Sequence, residues 1–212
     1  MNLISASLLS CKDNLESITK EFNNLDIDLI HLDIMDGEFV PYTSFTYDEI
    51  KTIVNNTNKP LDVHLMVNNI DEYIYDYAML NTKFITFHYE ALNDLKVIDK
   101  VKSYGIRCGI SIKPNTDVEQ IYDILPLIDM VLIMSVEPGR GGQKFIESSL
   151  DKIKKLNNKI KELCLDVLIS VDGGINDKTG IKCVENGADI LVIGSALANS
   201  DDKVSFIEKC KK

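Results

Sequence analysis

An eight-stranded β/α barrel with every strand parallel is the fold class this chain predicts, and three observations carry the prediction. Short runs rich in Ile, Val and Leu alternate with longer amphipathic stretches rich in Lys, Glu and Asn. The runs recur at roughly 25 residues, long enough for a helical crossover and too short for large insertions. Residues unsuited to a buried strand, among them Ser7, His31, Asp33, His64, His88, Lys113, Met134 and Asp172, fall late in different runs. A doubly wound open sheet shares the alternation, but a barrel brings the carboxyl ends of that many strands to one mouth. A chain of 212 residues fits one domain, residues 1–212, because α/β barrels near this length commonly enclose a single core.

Taken in order, the first strand is "LISASLL" (3–9), an apolar run broken only by small residues, and "DNLESITKEFNNL" follows as an amphipathic helix. "LIHLDIM" (29–35) keeps a strand's apolar alternation around a histidine and an acid, and leads to the helix "YDEIKTIVNN". "LDVHLMV" (61–67) repeats that pattern before "IDEYIYDYAML", and "FITFHYE" (84–90) precedes "NDLKVIDKVKSY". "CGISIK" (108–113) and "MVLIMSV" (130–136) are the fifth and sixth strands, with "VEQIYDIL" and "SSLDKIKKLNNKIKEL" as their crossovers. The lysines of the last crossover read as a solvated outer face. "DVLISVDG" (166–173), the helix "NDKTGIKCVENG" and "ILVIGSA" (190–196) complete the set, with a short helix beginning near Ser195.

Composition excludes several function classes. The net charge of −10 disfavours binding to nucleic acid or to an anionic membrane, since both need a basic surface. An anionic ligand must then be held by local dipoles. The five cysteines (Cys11, Cys108, Cys164, Cys183, Cys210) are scattered, odd in number and form no CxxC pair, which argues for a reducing compartment and against a disulfide framework or zinc ribbon. "MNLISASLLSCKDN" has no basic leader, and no apolar run reaches a membrane span, so a cytoplasmic location is expected.

Strand periodicity gives the first chemical signal. Residues i and i+2 share a face, so His31 and Asp33 project together. His64 closes the third strand and Asp172 the seventh. On a barrel these two imidazoles and two carboxylates meet in one pocket, a donor set for a divalent Zn, Fe, Mn or Co ion. A buried polar network without an ion is the other reading of the same residues. A second signal is "VEPGRGGQKF" (136–145), where Gly139, Gly141 and Gly142 flank Arg140 and let backbone approach a ligand closely. Gly173 and Gly174 in "DGGIN" and Gly194 and Ser195 in "IGSALANS" add open backbone amides after the last two strands, where barrels often hold phosphate.

In order and over nearly the full length, "ISASLLS", "HLDIMDGEFVP", "DVHLMV", "FITFHYEA", "MSVEPGRGGQKF", "ISVDGGI" and "VIGSA" resemble the signatures of ribulose-phosphate 3-epimerases. The resemblance implies a barrel of the ribulose-phosphate-binding type that interconverts D-ribulose 5-phosphate and D-xylulose 5-phosphate in the pentose phosphate pathway. It implies a divalent metal on His31, Asp33, His64 and Asp172, with Asp33 and Asp172 also serving as acid and base. Substrate contacts fall to Ser7, His64, Asp172, Gly139 to Gly142 with Arg140, Gly173, Gly174, Gly194 and Ser195. Met35, Met66 and Met134 match methionines that line the family's cavity, although methionine at a strand end is ordinarily core filling. His88 matches a supporting histidine, and Asp36 reads as a turn-fixing residue. A homo-oligomer, dimer or hexamer, is also implied.

Epimerisation beside a carbonyl removes the proton on carbon 3 and returns one on the opposite face. Two bases flanking the substrate plane suit that task, one entering ionised and the other protonated. The sequence departs from the family at Ala6 (usually proline), Tyr42 (near a usual asparagine), Thr46 (where glycine often follows Phe45) and Arg140 (commonly apolar), which bears on loop stiffness and substrate closure. The same chemistry on a six-carbon sugar, allulose 6-phosphate, and a phosphate-binding barrel without catalysis are the alternatives. A decarboxylase on this fold would need a lysine between its two acids, where "DIMDG" has Met35.

Overall fold

The computed structural model describes residues 1–211. Among the described residues, eight parallel strands close a barrel, each hydrogen-bonded to the next and the last to the first. They are β1 (Leu3–Ser7), β2 (Leu29–Met35), β3 (Leu61–Met66), β4 (Thr82–His88), β5 (Arg107–Ile112), β6 (Met130–Met134), β7 (Leu168–Asp172) and β8 (Ile190–Ile193). Around them lie α1 (Leu15–Asn23), α2 (Tyr47–Asn55), α3 (Ile70–Ala78), α4 (Lys96–Ser103), α5 (Ser149–Glu162), α6 (Thr179–Asn186), α7 (Ser195–Ala198) and α8 (Lys203–Cys210). This is the (β/α)8 architecture the strand spacing predicts. No helix among the described residues is long and apolar enough to cross a membrane.

Strand and helix positions follow the sequence reading, with differences that have local causes. Strand β4 starts at Thr82 and ends at His88, because Tyr89–Ala91 tightens into a 3₁₀ turn. The expected helix 118–125 is a 3₁₀ helix over Val118–Leu127 containing Pro126; proline has no N–H and its ring crowds the carbonyl four residues back, so an α-helical last turn cannot close. Helix α8 was not anticipated by the sequence reading. Helix α2 opens with a reciprocal cap, Thr46 accepting from the Glu49 amide while Glu49 accepts from the Thr46 amide. Thr46, one of the departures from the family pattern, is therefore the capping residue.

Because successive strand residues face opposite sides, the apolar residues divide into two sets. Ile4, Leu32, Val63, Ile85, Val131 and Leu191 point outward to the helices. Leu29, Phe84, Met130 and Ile190, flanked by Leu3 and Leu168, fill the bottom of the barrel. Above that plug the inward side chains become polar. Register aligns Ser7 with His31, His31 with Asp62, Asp33 with His64, and Met134 with Asp172, so polar side chains from distant segments arrive at similar heights.

Midway up the interior, Gly109 of β5 sits opposite Thr86 of β4. A methyl group on Gly109 would collide with the Thr86 hydroxyl and approach both other Thr86 side-chain carbons to 3.1 Å. Gly109→Ala is expected to destabilise the protein by ~1–3 kcal/mol through overpacking. Adding Thr86→Ala removes the colliding hydroxyl and the methyl while keeping the β-carbon at 3.1 Å, and urea unfolding of the double variant should recover most of the loss.

Candidate active site

Four side chains predicted to share an ion converge at the top of the barrel. One donor atom from each of His31, Asp33, His64 and Asp172 lies within 4.8 Å of the other three. Asp33 is central: its Oδ1 is 3.4 Å from His31 Nε2 and 3.4 Å from His64 Nδ1, and its Oδ2 accepts from the Ser7 hydroxyl at 3.0 Å. Asp172 Oδ2 approaches His31 Nε2 at 3.9 Å. Both histidine rings are fully buried, Asp33 is nearly so, and Asp172 is partly open.

Each ligand candidate is held from behind. His31 Nδ1 meets Asp62 Oδ2 at 2.9 Å, and the Ser5 hydroxyl donates to that same oxygen at 2.8 Å. His64 Nε2 meets His88 Nε2 at 2.9 Å, and His88 Nδ1 meets Glu90 Oε2 at 3.1 Å. Asp172 sits on chain clamped by Ser135, whose hydroxyl donates to the carbonyls of Asp172 and Gly173 at 2.9 and 2.7 Å. Asp62 and Glu90 escaped the sequence reading. A signal for them existed, since each lies two residues from a strand histidine.

Charge coupling separates the two carboxylates. Burial would raise Asp33, but the neighbouring His31 and His64 outweigh it and hold Asp33 far below the ordinary carboxylate range. Burial, with the Asp33 charge next to it, pushes Asp172 up to about 7. For His31 burial opposes protonation, yet Asp33 and Asp62 outweigh it and raise its pKa well above the imidazole norm. Burial lowers His64, and lowers His88 to about 4.

The cluster fits a metal ion on a specific observation. His31 Nε2 is buried, has no hydrogen-bond partner and faces two carboxylates. Two imidazole nitrogens and two carboxylate oxygens form the borderline donor set of Zn²⁺, Fe²⁺, Mn²⁺ and Co²⁺.

A cavity opens over the cluster. Ser7, Asp33, Met66, Met134 and Asp172 line its base, and Gly139 to Gly142, Gly173, Gly174, Gly194 and Ser195 line its wall. Met35 packs beside Met66 and Val40 and is not among the lining residues. Its side chain sits next to the base of the cavity. Gly174 has φ +65°, and a Cβ there would collide with the Phe145 amide and come within 3.0 Å of the Gln143 carbonyl. The loop can approach its neighbour only without a side chain at this position.

Two loops meet at the rim. The Gln143 side-chain amide donates to the carbonyls of Glu137 and Arg140 at 2.7 and 2.8 Å, which folds the glycine-rich loop onto itself. The Arg140 guanidinium stands 5.7 Å from the Tyr42 ring centroid, so two departures from the family pattern contact each other. Asp36, as expected of a turn residue, accepts from the amides of Glu38 and Phe39 at 2.8 Å, and also from Asn68 at 2.7 Å.

Comparison with known proteins adds a separate line of observation. The sequence profile of the Ribulose-phosphate 3 epimerase family matches residues 3–198. Ribulose-phosphate 3-epimerase from Methanocaldococcus jannaschii is 37% identical over 211 residues, covering 99% of this chain and 89% of that protein. The Bacillus subtilis protein of the same name is 35% identical over 212 residues, covering 99% and 96%. In fold, the chain is similar to KGPDC from Streptococcus mutans, with a TM-score of 0.70, 12% identity and coverage of 99% and 95%.

Proposed function

The chain belongs to the ribulose-phosphate 3-epimerase family, and from that premise we propose that it interconverts D-ribulose 5-phosphate and D-xylulose 5-phosphate at this site. The observation that carries the reading is the convergence of His31, Asp33, His64 and Asp172 beneath a cavity walled by glycines. His31, Asp33, His64 and Asp172 would hold the divalent ion, with Zn, Fe, Mn and Co all suited to the donors. Bound there, the ion supplies Lewis-acid stabilisation of the negative charge that develops on the substrate's carbon 2 oxygen.

The chain's own groups account for the proton transfers. Asp33, whose carboxylate lies between the two imidazoles, takes the carbon 3 proton of one epimer. Asp172, which burial holds protonated more readily, returns a proton to the opposite face of the planar enediolate, and the reverse reaction exchanges the roles. Met66 and Met134 limit water at the base of the cavity, where a stray proton donor would short-circuit the transfer. Gly139 to Gly142, Gly173, Gly174 and Gly194 line the cavity wall, and their backbone amides would bind the phosphate, so recognition needs no basic cluster on this acidic chain.

Epimerisation in deuterium oxide tests the reading. We expect deuterium at carbon 3 of the product pentulose phosphate, activity lost after chelator treatment, and activity regained with one or more of Zn, Fe, Mn and Co. Full activity in metal-depleted protein, or product without deuterium, rejects it.

Arg140 reaches the rim from the glycine-rich loop and supplies a cation to the phosphate end. Arg140→Ala is expected to raise KM for ribulose 5-phosphate about tenfold, the size of one charge-assisted hydrogen bond, with kcat nearly unchanged. Steady-state kinetics at saturating metal decides this, and an unchanged KM removes Arg140 from the phosphate site.

A further inference from the structure

We infer that two acids outside the ligand cluster, Asp62 and Glu90, determine which nitrogen of each ligating histidine offers a lone pair to the metal. The inference rests on the metal site proposed above and deepens it. A neutral imidazole has one N–H and one lone pair, and only the lone pair can bind a cation. Which nitrogen carries the hydrogen is settled by the partner of the other nitrogen.

For His31 the chain of reasoning is one step long. Asp62 is buried, and its Oδ2 lies 2.9 Å from His31 Nδ1. The Ser5 hydroxyl donates to that oxygen at 2.8 Å, which holds the carboxylate in place. A carboxylate only accepts, so when the ring gives up one hydrogen to take a cation, Nδ1 keeps its own. The lone pair is then on Nε2, the buried atom with no hydrogen-bond partner that faces Asp33 and Asp172.

For His64 the reasoning takes three steps. The Lys113 amide donates to Glu90 Oε1 at 2.8 Å and the Thr116 hydroxyl donates to the same oxygen. Oε2 is thereby aimed at His88 Nδ1, 3.1 Å away, which must carry a hydrogen. Between His88 Nε2 and His64 Nε2, at 2.9 Å, one atom donates and the other accepts. With His88 Nε2 as acceptor, His64 Nε2 is the donor, and the lone pair moves to Nδ1. That nitrogen lies 3.4 Å from Asp33 Oδ1, which would accept a hydrogen from it. Both ends of the ring thus compete for one hydrogen, and Glu90, through His88 and the shorter 2.9 Å contact, is what assigns it to Nε2.

The two chains account for opposite nitrogens, Nε2 of His31 and Nδ1 of His64, pointing into one cluster: Asp62 meets His31 at Nδ1, whereas His88 meets His64 at Nε2. Without either acid, its histidine divides between two tautomers, and one of them presents an N–H to the cation.

The test uses zinc-loaded wild-type protein with ¹⁵N-labelled histidine and long-range ¹H–¹⁵N correlation spectra, together with zinc affinity by chelator competition. Hydrogens are expected on His31 Nδ1, His64 Nε2 and His88 Nδ1. Asp62→Asn and Glu90→Gln, which can donate where the acids only accept, are each expected to bind zinc about 10- to 100-fold more weakly. A hydrogen on His31 Nε2 or His64 Nδ1 in the loaded protein overturns the inference, as does zinc affinity within twofold of wild type in either variant. The wild-type spectrum decides by itself if a variant does not fold. Failure of wild-type protein to take up zinc overturns the metal site and this inference together, whereas tight zinc binding with the other hydrogen pattern overturns this inference alone.

Discussion

Asp172→Asn should lower kcat for epimerisation by about 10³-fold, within the range measured for losing one general acid or base, while leaving zinc bound. Asparagine keeps an oxygen in nearly the same place, so ligation weakens but does not vanish, and the amide cannot take up or release a proton at neutral pH. The loss should therefore appear in kcat and kcat/KM alike, as expected when the interaction removed acts in the transition state. A stability measurement separates this from damage to the fold. Burial and the Asp33 charge raise Asp172 in the metal-free folded protein to about 7, whereas an unfolded aspartate titrates near the ordinary 3.8. The folded state then binds the extra proton between those values, so this group's effect is absent at low pH, grows as pH rises through the unfolded value, and levels off above about 7 as a net destabilisation. Asparagine has no such penalty. In chelated protein the variant should match wild type near pH 4 and exceed it in urea unfolding at pH 8. A variant less stable than wild type at both pH values would mean that asparagine disturbs the site, and the kinetic loss could not then be assigned to proton transfer.

Much of this site is legible in the sequence because a strand's period of two is rigid. His31 and Asp33 had to share a face, and closing the strands into a barrel brings the strand ends that carry His64 and Asp172 to the same mouth; the pairing of Asp33 with His64 and of Asp172 with Met134 is the structure's register. The same rule applied to Asp62 and His64 puts a second acid on the inner face of "LDVHLMV", but nothing in the run says what that acid meets. Only cross-strand register, which a sequence does not print, sets Asp62 against His31 rather than against solvent. Glu90 was harder still. It stands beyond the end of β4 in a 3₁₀ turn, and its direction comes from the Lys113 amide and Thr116 hydroxyl, after the next strand. The glycines of the wall could be placed by position, but their need to lack a side chain depends on what packs beside them, such as Phe145 against Gly174. Helix α8 was missed because "VSFIEKC" is too short for helical periodicity to stand out; it becomes stable by burying Ile207 and Cys210.

Asp33→Ala is expected to have the largest effect of any single substitution proposed for this protein, a fall in kcat of at least about 10⁴-fold with metal content close to zero. The reason is that three functions end on one carboxylate. Its Oδ1 lies between His31 Nε2 and His64 Nδ1, 3.4 Å from each, so its removal takes the central acceptor out of the ligand cluster. Its Oδ2 anchors the Ser7 hydroxyl at the base of the cavity. In the proposed reaction it is also one of the two bases. Groups that act as a unit do not contribute additively, because once one is gone the rest have nothing to complete. Combining Asp33→Asn with Asp172→Asn should therefore cost little more than Asp33→Asn alone, measured as kcat at saturating zinc with metal content read on the same samples. Were the two carboxylates independent, the double variant would lose the product of the two single factors. A multiplicative loss would show that they do not work on one substrate plane, and the two-base scheme would have to give way to one in which a single residue moves the proton.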